Sequence, residues 1–173
     1  MVAKPVQIRR KSGSLIMRIL ALFMGKWFLV GAWTTISRRR TWGPDDMPPG
    51  VDGAWVIEDP DSPDRVRILT DGLSADDQTW ILRNRYVVLH EICHTRQIRR
   101  WLALFHLTYL WFPLPVLLAW GRWRWEREAY LVNLRAGERT VDDVVDSLWR
   151  VYALTWPRAW MRKWFLRQLG DDR

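Results

Sequence analysis

His90, Glu91 and His94 have the residue types and the spacing of a metal-dependent hydrolytic centre. Residues four apart on a helix share a face, with Cβ atoms roughly 6 Å apart, so the two imidazoles can bind one tetrahedral zinc. Glu91 then lies about 100° round the helix from His90 and about 60° from His94. Its carboxylate stays on the metal side, within reach of a proton on zinc-activated water. The segment His-Glu-Ile-Cys-His thus supplies two ligands and a general base. A match of this kind also arises by chance, so its context decides its weight. That context is helical: Ser74-x-x-Asp77 has the form of a capping box, and the run from Ala75 to Arg100 holds neither Gly nor Pro.

Catalytic zinc takes three protein ligands and leaves a fourth position for water. Downstream, the candidates for the third are His106, Glu126 and Glu128. On a continuing helix about 18 Å of rise separates His106 from His94, too far for a shared metal. Packing on an apolar face is the expectation for it. Glu126 and Glu128 open a second helical stretch beyond Pro113 and Pro115, and a returning helix can present a carboxylate to the first. Gln97 falls on the ligand-bearing face and can hydrogen-bond behind the ligands; a solvated helix position is the alternative. Cys93 points away from Glu91, which favours packing over ligation.

HExxH followed by Glu126-x-x-Ala129 on a later helix resembles the gluzincin metallopeptidases, including the membrane-embedded HtpX and CAAX-processing types. The chain is also similar to small bacterial HExxH domains with Gln three residues after the second His. The resemblance covers about Asp77 to Gly137. It implies that Glu126, and not Glu128, is the third zinc ligand. It also implies a small sheet beside the active-site helix, with an edge strand that holds extended substrate. Tyr130 stands where the family carries an Asp that steadies a ligand, so the support behind the ligands departs from the family's and Tyr130 becomes a candidate for it.

The remaining elements must bring these residues together. Trp101 to Trp120 is a run of twenty residues without formal charge, long enough to span a bilayer. A single crossing would leave Glu126 roughly 30 Å from His94. Pro113 and Pro115 resolve the conflict by breaking the run into two arms of about eleven residues, a hairpin that returns Glu126 to the histidines. Residues 41 to 64 read as an acidic, Pro-rich connector, within and after which Ala54 to Glu58 and Arg65 to Leu69 have strand character. Gly137 ends the Glu126 helix, Thr140-x-x-Asp143 starts another that runs to about Leu154, and Pro157 starts a last, Trp-rich one.

Charge comes in blocks. Residues 1 to 40 hold nine Lys or Arg and no acid, residues 41 to 80 ten acids and two Arg, and the rest sixteen bases and nine acids, for a net of +8. Apolar stretches from Leu15 to Met24 and from Trp27 to Ile36 lie between the N-terminal cations, unlike a polar nucleic-acid arm. Arg18, Lys26 and Arg38–Arg40 interrupt any signal-peptide core. A membrane-interfacial helix or a helix packed on the domain fits better. Trp156, Trp160 and Trp164, interleaved with Arg158, Arg162, Lys163 and Arg167, pose the same choice between headgroups and core. The single cysteine excludes an intramolecular disulfide.

The sequence therefore predicts a mainly α (α+β), minimal zincin-like fold: a basic apolar arm over 1–40 and one metallopeptidase domain over 41–173. The expected activity is peptide hydrolysis through zinc held by His90, His94 and Glu126, with Glu91 as general base. Gln97 and Tyr130 are candidates behind the ligands, and Tyr130, Tyr152 or an arginine for the oxyanion. The expected partners are a peptide or protein substrate and an anionic membrane surface, with a cytoplasmic, peripheral or monotopic location. Two other readings stand beside it: a catalytically silent zinc-binding protein attached to a membrane or partner, and a basic nucleic-acid binder.

Overall fold

The structure, a computed structural model, describes residues 4–24, 33–110, 118–152 and 157–170. Among them are four strands and six helices, a mainly α, α+β arrangement. The contacts group the chain into two compact units, 1–96 and 97–173.

The first unit is built on a mixed sheet of β1 (Val6–Arg10), β2 (Arg40–Gly43), β3 (Trp55–Asp59) and β4 (Ser62–Ile68), in the order β2-β1-β3-β4. The expected hairpin is β3–β4, antiparallel from Val56↔Ile68 to Asp59↔Ser62, with an irregularity between Glu58 and Asp59. β1 and β2, which the sequence reading missed, complete the sheet. β1 alternates as a half-buried strand should: Val6 and Ile8 have no exposure while Gln7 and Arg9 are partly exposed. It pairs antiparallel with β3 and parallel with β2. A parallel pair needs a long crossover, and α1 (Leu15–Met24) lies in this one. Residues 6–10 are thus an interior strand of the sheet, and only part of the 1–40 segment has the helical character expected of it.

α1 packs on its unit along one side only. Met17 is buried against Trp42, with Leu20, Ala21 and Ile36 packed around them. Leu15, Ile16, Ile19 and Leu22 are exposed, Leu22 to 83%. The stretch from 25 to 32 lies outside the described residues.

α2 (Ala75–Arg83) starts at the expected cap: Ser74 Oγ accepts from the Asp77 amide at 3.1 Å and donates to Asp77 Oδ2 at 2.6 Å. The predicted continuous helix is interrupted at Asn84, whose side-chain amide donates to the Trp80 carbonyl at 2.9 Å while its backbone leaves helical geometry at φ −99°, ψ 13°. A short polar side chain that bonds nearby backbone competes with helix continuation. α3 (Arg85–Leu110) follows and carries the HExxH segment; it kinks at Trp101, φ −133°, ψ 43°.

In the second unit α4 (Leu118–Arg135) returns along the latter part of α3, with Ile98 and Phe105 packed on Trp125. The prolines of the expected turn lie outside the described residues. Gly137, at φ 70°, closes α4: its amide donates to Leu134 O and that of Glu138 to Asn133 O, the paired bonds of a left-handed helix stop. Thr140 and Asp143 form a reciprocal cap on α5 (Val141–Tyr152), and Pro157 precedes α6 (Arg158–Leu169). The core of this unit joins Trp123, Tyr130 and Leu134 of α4 to Val144 and Leu148 of α5 and Met161 and Phe165 of α6. Trp160 and Trp164 stack their edges on Trp123, at 5.3 and 5.6 Å between ring centres. Arg127 lies over Trp164 at 4.7 Å. Trp164 packs against this core, whereas Trp160 keeps 41% of its surface exposed; Trp156 is outside the described residues. Among the described residues no helix is long and apolar enough to cross a membrane.

Candidate metal centre

From Val88 to Thr95 every residue of α3 is buried. A helix covered on all sides belongs to an interior, where polar side chains need partners. Yet this stretch contains His90, Glu91 and His94, at 8%, 5% and 3% exposure. The helix is fixed locally by two contacts: Thr95 Oγ1 donates back to the Ile92 carbonyl at 2.8 Å, and Arg96 pairs with Glu58 of β3.

The two imidazoles converge. His90 Nε2 and His94 Nε2 are 3.2 Å apart, with rings nearly perpendicular at 80°. Two donors bound to tetrahedral zinc at about 2.0–2.1 Å sit roughly 3.3 Å from each other, so the observed separation is compatible with two ligands on one ion. Glu126, fully buried, brings a carboxylate oxygen to the same place: the three ligand atoms all lie within 4.8 Å of one another. A buried His-His-Glu group of this geometry could hold a metal ion. The same separation suits a proton shared between two imidazole nitrogens, and the nearby Glu126 carboxylate is what makes the group one that could hold a metal ion instead.

Of the other third-ligand candidates, Glu128 is exposed and accepts a hydrogen bond from Gln97 Nε2 at 3.0 Å. The side chain of His106 lies outside the described residues. Gln97 is 6% exposed and also donates to the Trp125 carbonyl at 2.9 Å, the peptide group directly before Glu126. It therefore fixes the backbone from which Glu126 projects. Tyr130 belongs to the helical core, under the guanidinium of Arg139 at 5.7 Å. Cys93 is buried and in no disulfide, consistent with packing. The side chain of Tyr152 is outside the described residues.

Lys11 has no exposed surface. No local pattern marks this, because Lys11 sits in a basic run next to β1 that reads as solvated. Burial pushes its ammonium down to about 8, against attraction to Glu91 and Asp45, which raises it. Glu91 Oε2 is itself buried and accepts no hydrogen bond from the described residues.

Comparison with protein-family models, with curated proteins and with solved structures found no match. Function must therefore be argued from this site alone.

Proposed function

We propose that the protein is a zinc-dependent metallopeptidase. The observation that carries this reading is the convergence of His90, His94 and Glu126, all buried, to within 4.8 Å. Two imidazoles and one carboxylate suit zinc, and His90, His94 and Glu126 would hold it. When bound, the metal supplies a Lewis acid that acidifies water and polarises a peptide carbonyl.

The chain's own residues do the rest. His90 and His94 come from one helical face, so their separation is set by the helix and not by loop conformation. Glu126 adds the negative charge that offsets part of a divalent ion's charge in a buried site. Glu91, next to His90 on the inner part of α3, accepts the proton of the attacking water as its oxygen bonds to the carbonyl carbon. It then gives that proton to the amide nitrogen as the C–N bond breaks. Gln97 holds the Trp125–Glu126 backbone in register.

The test is hydrolysis of fluorescein-labelled casein by zinc-loaded protein. Wild type should cleave it, and Glu91→Gln should retain metal while losing about 100-fold to 10,000-fold in rate. Metal-loaded wild type without hydrolysis would favour the silent zinc-binding reading.

We also propose peripheral attachment to an anionic membrane. Leu15, Ile16, Ile19 and Leu22 of α1 are exposed beside Arg18, and Arg38, Arg39 and Arg40 are exposed in the same unit. Exposed aliphatic residues flanked by cations suit the boundary between headgroups and acyl chains.

A further inference from the structure

A guanidinium drawn partly out of water needs an acceptor or a counter-charge. On α6, Arg158 has one in Asp146 at 3.3 Å and Arg162 one in Asp142 at 2.9 Å, although both arginines are exposed. Arg127 of α4 is more buried than either. Its guanidinium lies over the ring of Trp164 at 4.7 Å and over that of Trp123 at 6.0 Å. Its Nε is buried and has no hydrogen-bond partner, and among the described residues no acid forms an ion pair with it. Glu128, next along the chain, accepts from Gln97 Nε2 instead.

Contact with aromatic rings does not replace hydrogen bonds. A ring attracts the cation through its face, while the N–H donors of a guanidinium lie in the guanidinium's own plane. Nε is closed off, so the terminal nitrogens are the donors left for a ligand. Two neighbours add charge and a donor rather than an acceptor. Arg124 is exposed three residues earlier, a spacing that makes the two arginines neighbours on the helix surface. The indole Nε1 of Trp123 is buried and also has no hydrogen-bond partner among the described residues. Trp160 stands exposed against Trp123, at 5.3 Å between ring centres. Burial, and after it the like charge of Arg124, lower the pKa of Arg127 from the ordinary arginine value, and Glu128 offsets them only in part.

We propose that Arg127, held over Trp164 and Trp123 and flanked by Arg124, is a binding site for an oxyanion of the phosphate class. A phosphate group takes two parallel N–H···O bonds from one edge of a guanidinium, and a planar fork already held against a ring presents that edge with little further ordering. The anion supplies the negative charge that Arg127 finds in no side chain. The site makes no use of His90, His94 or Glu126, so it stands or falls apart from the metallopeptidase reading. A soluble phosphate and the headgroup of a phosphatidic acid lipid offer the same chemistry.

The test is a titration of the isotope-labelled full chain with inorganic phosphate at constant ionic strength. It is read by NMR on the indole N–H resonance of Trp164, which Trp164→Phe identifies. Wild type should show a saturable shift, and binding should be at least about tenfold weaker in Arg127→Gln. Arg127→Lys keeps the charge and the stem and so spares the fold, but it loses the planar fork and should bind at least about threefold more weakly than wild type. No saturable shift in wild type, or wild-type affinity in either variant, overturns the proposal; an arginine that only packs on indoles, or phosphate that binds only at the metal centre, gives one of these results. Sedimentation with phosphatidylcholine vesicles that contain phosphatidic acid then separates the two sources. A loss of at least about fivefold in Arg127→Gln assigns the site to a lipid headgroup, and sedimentation equal to wild type assigns it to a soluble phosphate.

Discussion

Replacing Gln97 by alanine removes the contact behind Glu126 while leaving all three ligands in place. Gln97 Nε2 donates to the Trp125 carbonyl at 2.9 Å and to Glu128 Oε2 at 3.0 Å. Glu128 is exposed, so water replaces the glutamine there at little cost. The contact to the Trp125 carbonyl is buried, and its loss costs about 1–2 kcal/mol. For a chain of this size that lowers the melting temperature by about 2–8 °C. The larger effect falls on the metal. A ligand whose backbone is no longer fixed must be ordered on binding, and losses of such supporting contacts typically weaken metal affinity by about 10-fold to 100-fold. Zinc affinity by competition with a chromophoric chelator, alongside thermal unfolding of the metal-free protein, separates the two effects. The reasoning is refuted if Gln97→Ala lowers the melting temperature but leaves zinc affinity within about threefold of wild type.

Other outcomes follow from single contacts. Lys11 ionises at about 8 in the folded protein against an ordinary 10.5, so between those pH values the unfolded chain binds more protons. The resulting stability is absent below pH 8, grows as pH rises and is complete above 10.5, reaching at most about 3 kcal/mol; urea titrations of wild type and Lys11→Met should differ by that slope. Thr140→Ala removes the Oγ1 that accepts from the Asp143 amide at 3.1 Å, and should cost about 1 kcal/mol in chemical denaturation. It also removes the bonds that hold the Asp143 carboxyl below the usual carboxylate range, so its pKa measured by NMR should rise. In sedimentation with vesicles containing phosphatidylserine, Leu15→Ser combined with Leu22→Ser should reduce binding by at least about tenfold; unchanged binding would sink the membrane proposal.

His90 and His94 were legible as a pair because their signal is local, whereas Glu126 was singled out only by the resemblance. The i, i+4 spacing of His90 and His94 survives in any helix, and the capping pairs Ser74–Asp77 and Thr140–Asp143 need only four residues each. Helix ends at Gly137 and Pro157 were legible for the same reason. What escaped depends on distant pairing. β1 reads as Val-Gln-Ile-Arg-Arg in a cationic stretch, and only β2 and β3 on either side make it an interior strand. Lys11 carries no local mark of burial, which only the folded unit around the end of β1 creates. Asn84 broke a helix that periodicity ran straight through, by a side-chain bond to Trp80 that a pattern of apolar residues does not register. The tryptophans at 160 and 164 fit a lipid interface and a core equally well in sequence, and only the fold shows Trp123 beside both, with Trp164 packed on the core and Trp160 partly exposed.

The central claim is that His90, His94 and Glu126 bind one zinc, and metal content tests it directly. Purified, tag-free wild type, His94→Ala and Glu126→Ala would be compared by elemental analysis after zinc loading and desalting. The account predicts a single zinc per wild-type chain and its loss in both variants. No stoichiometric metal in wild type, or full retention of zinc by Glu126→Ala, would contradict it.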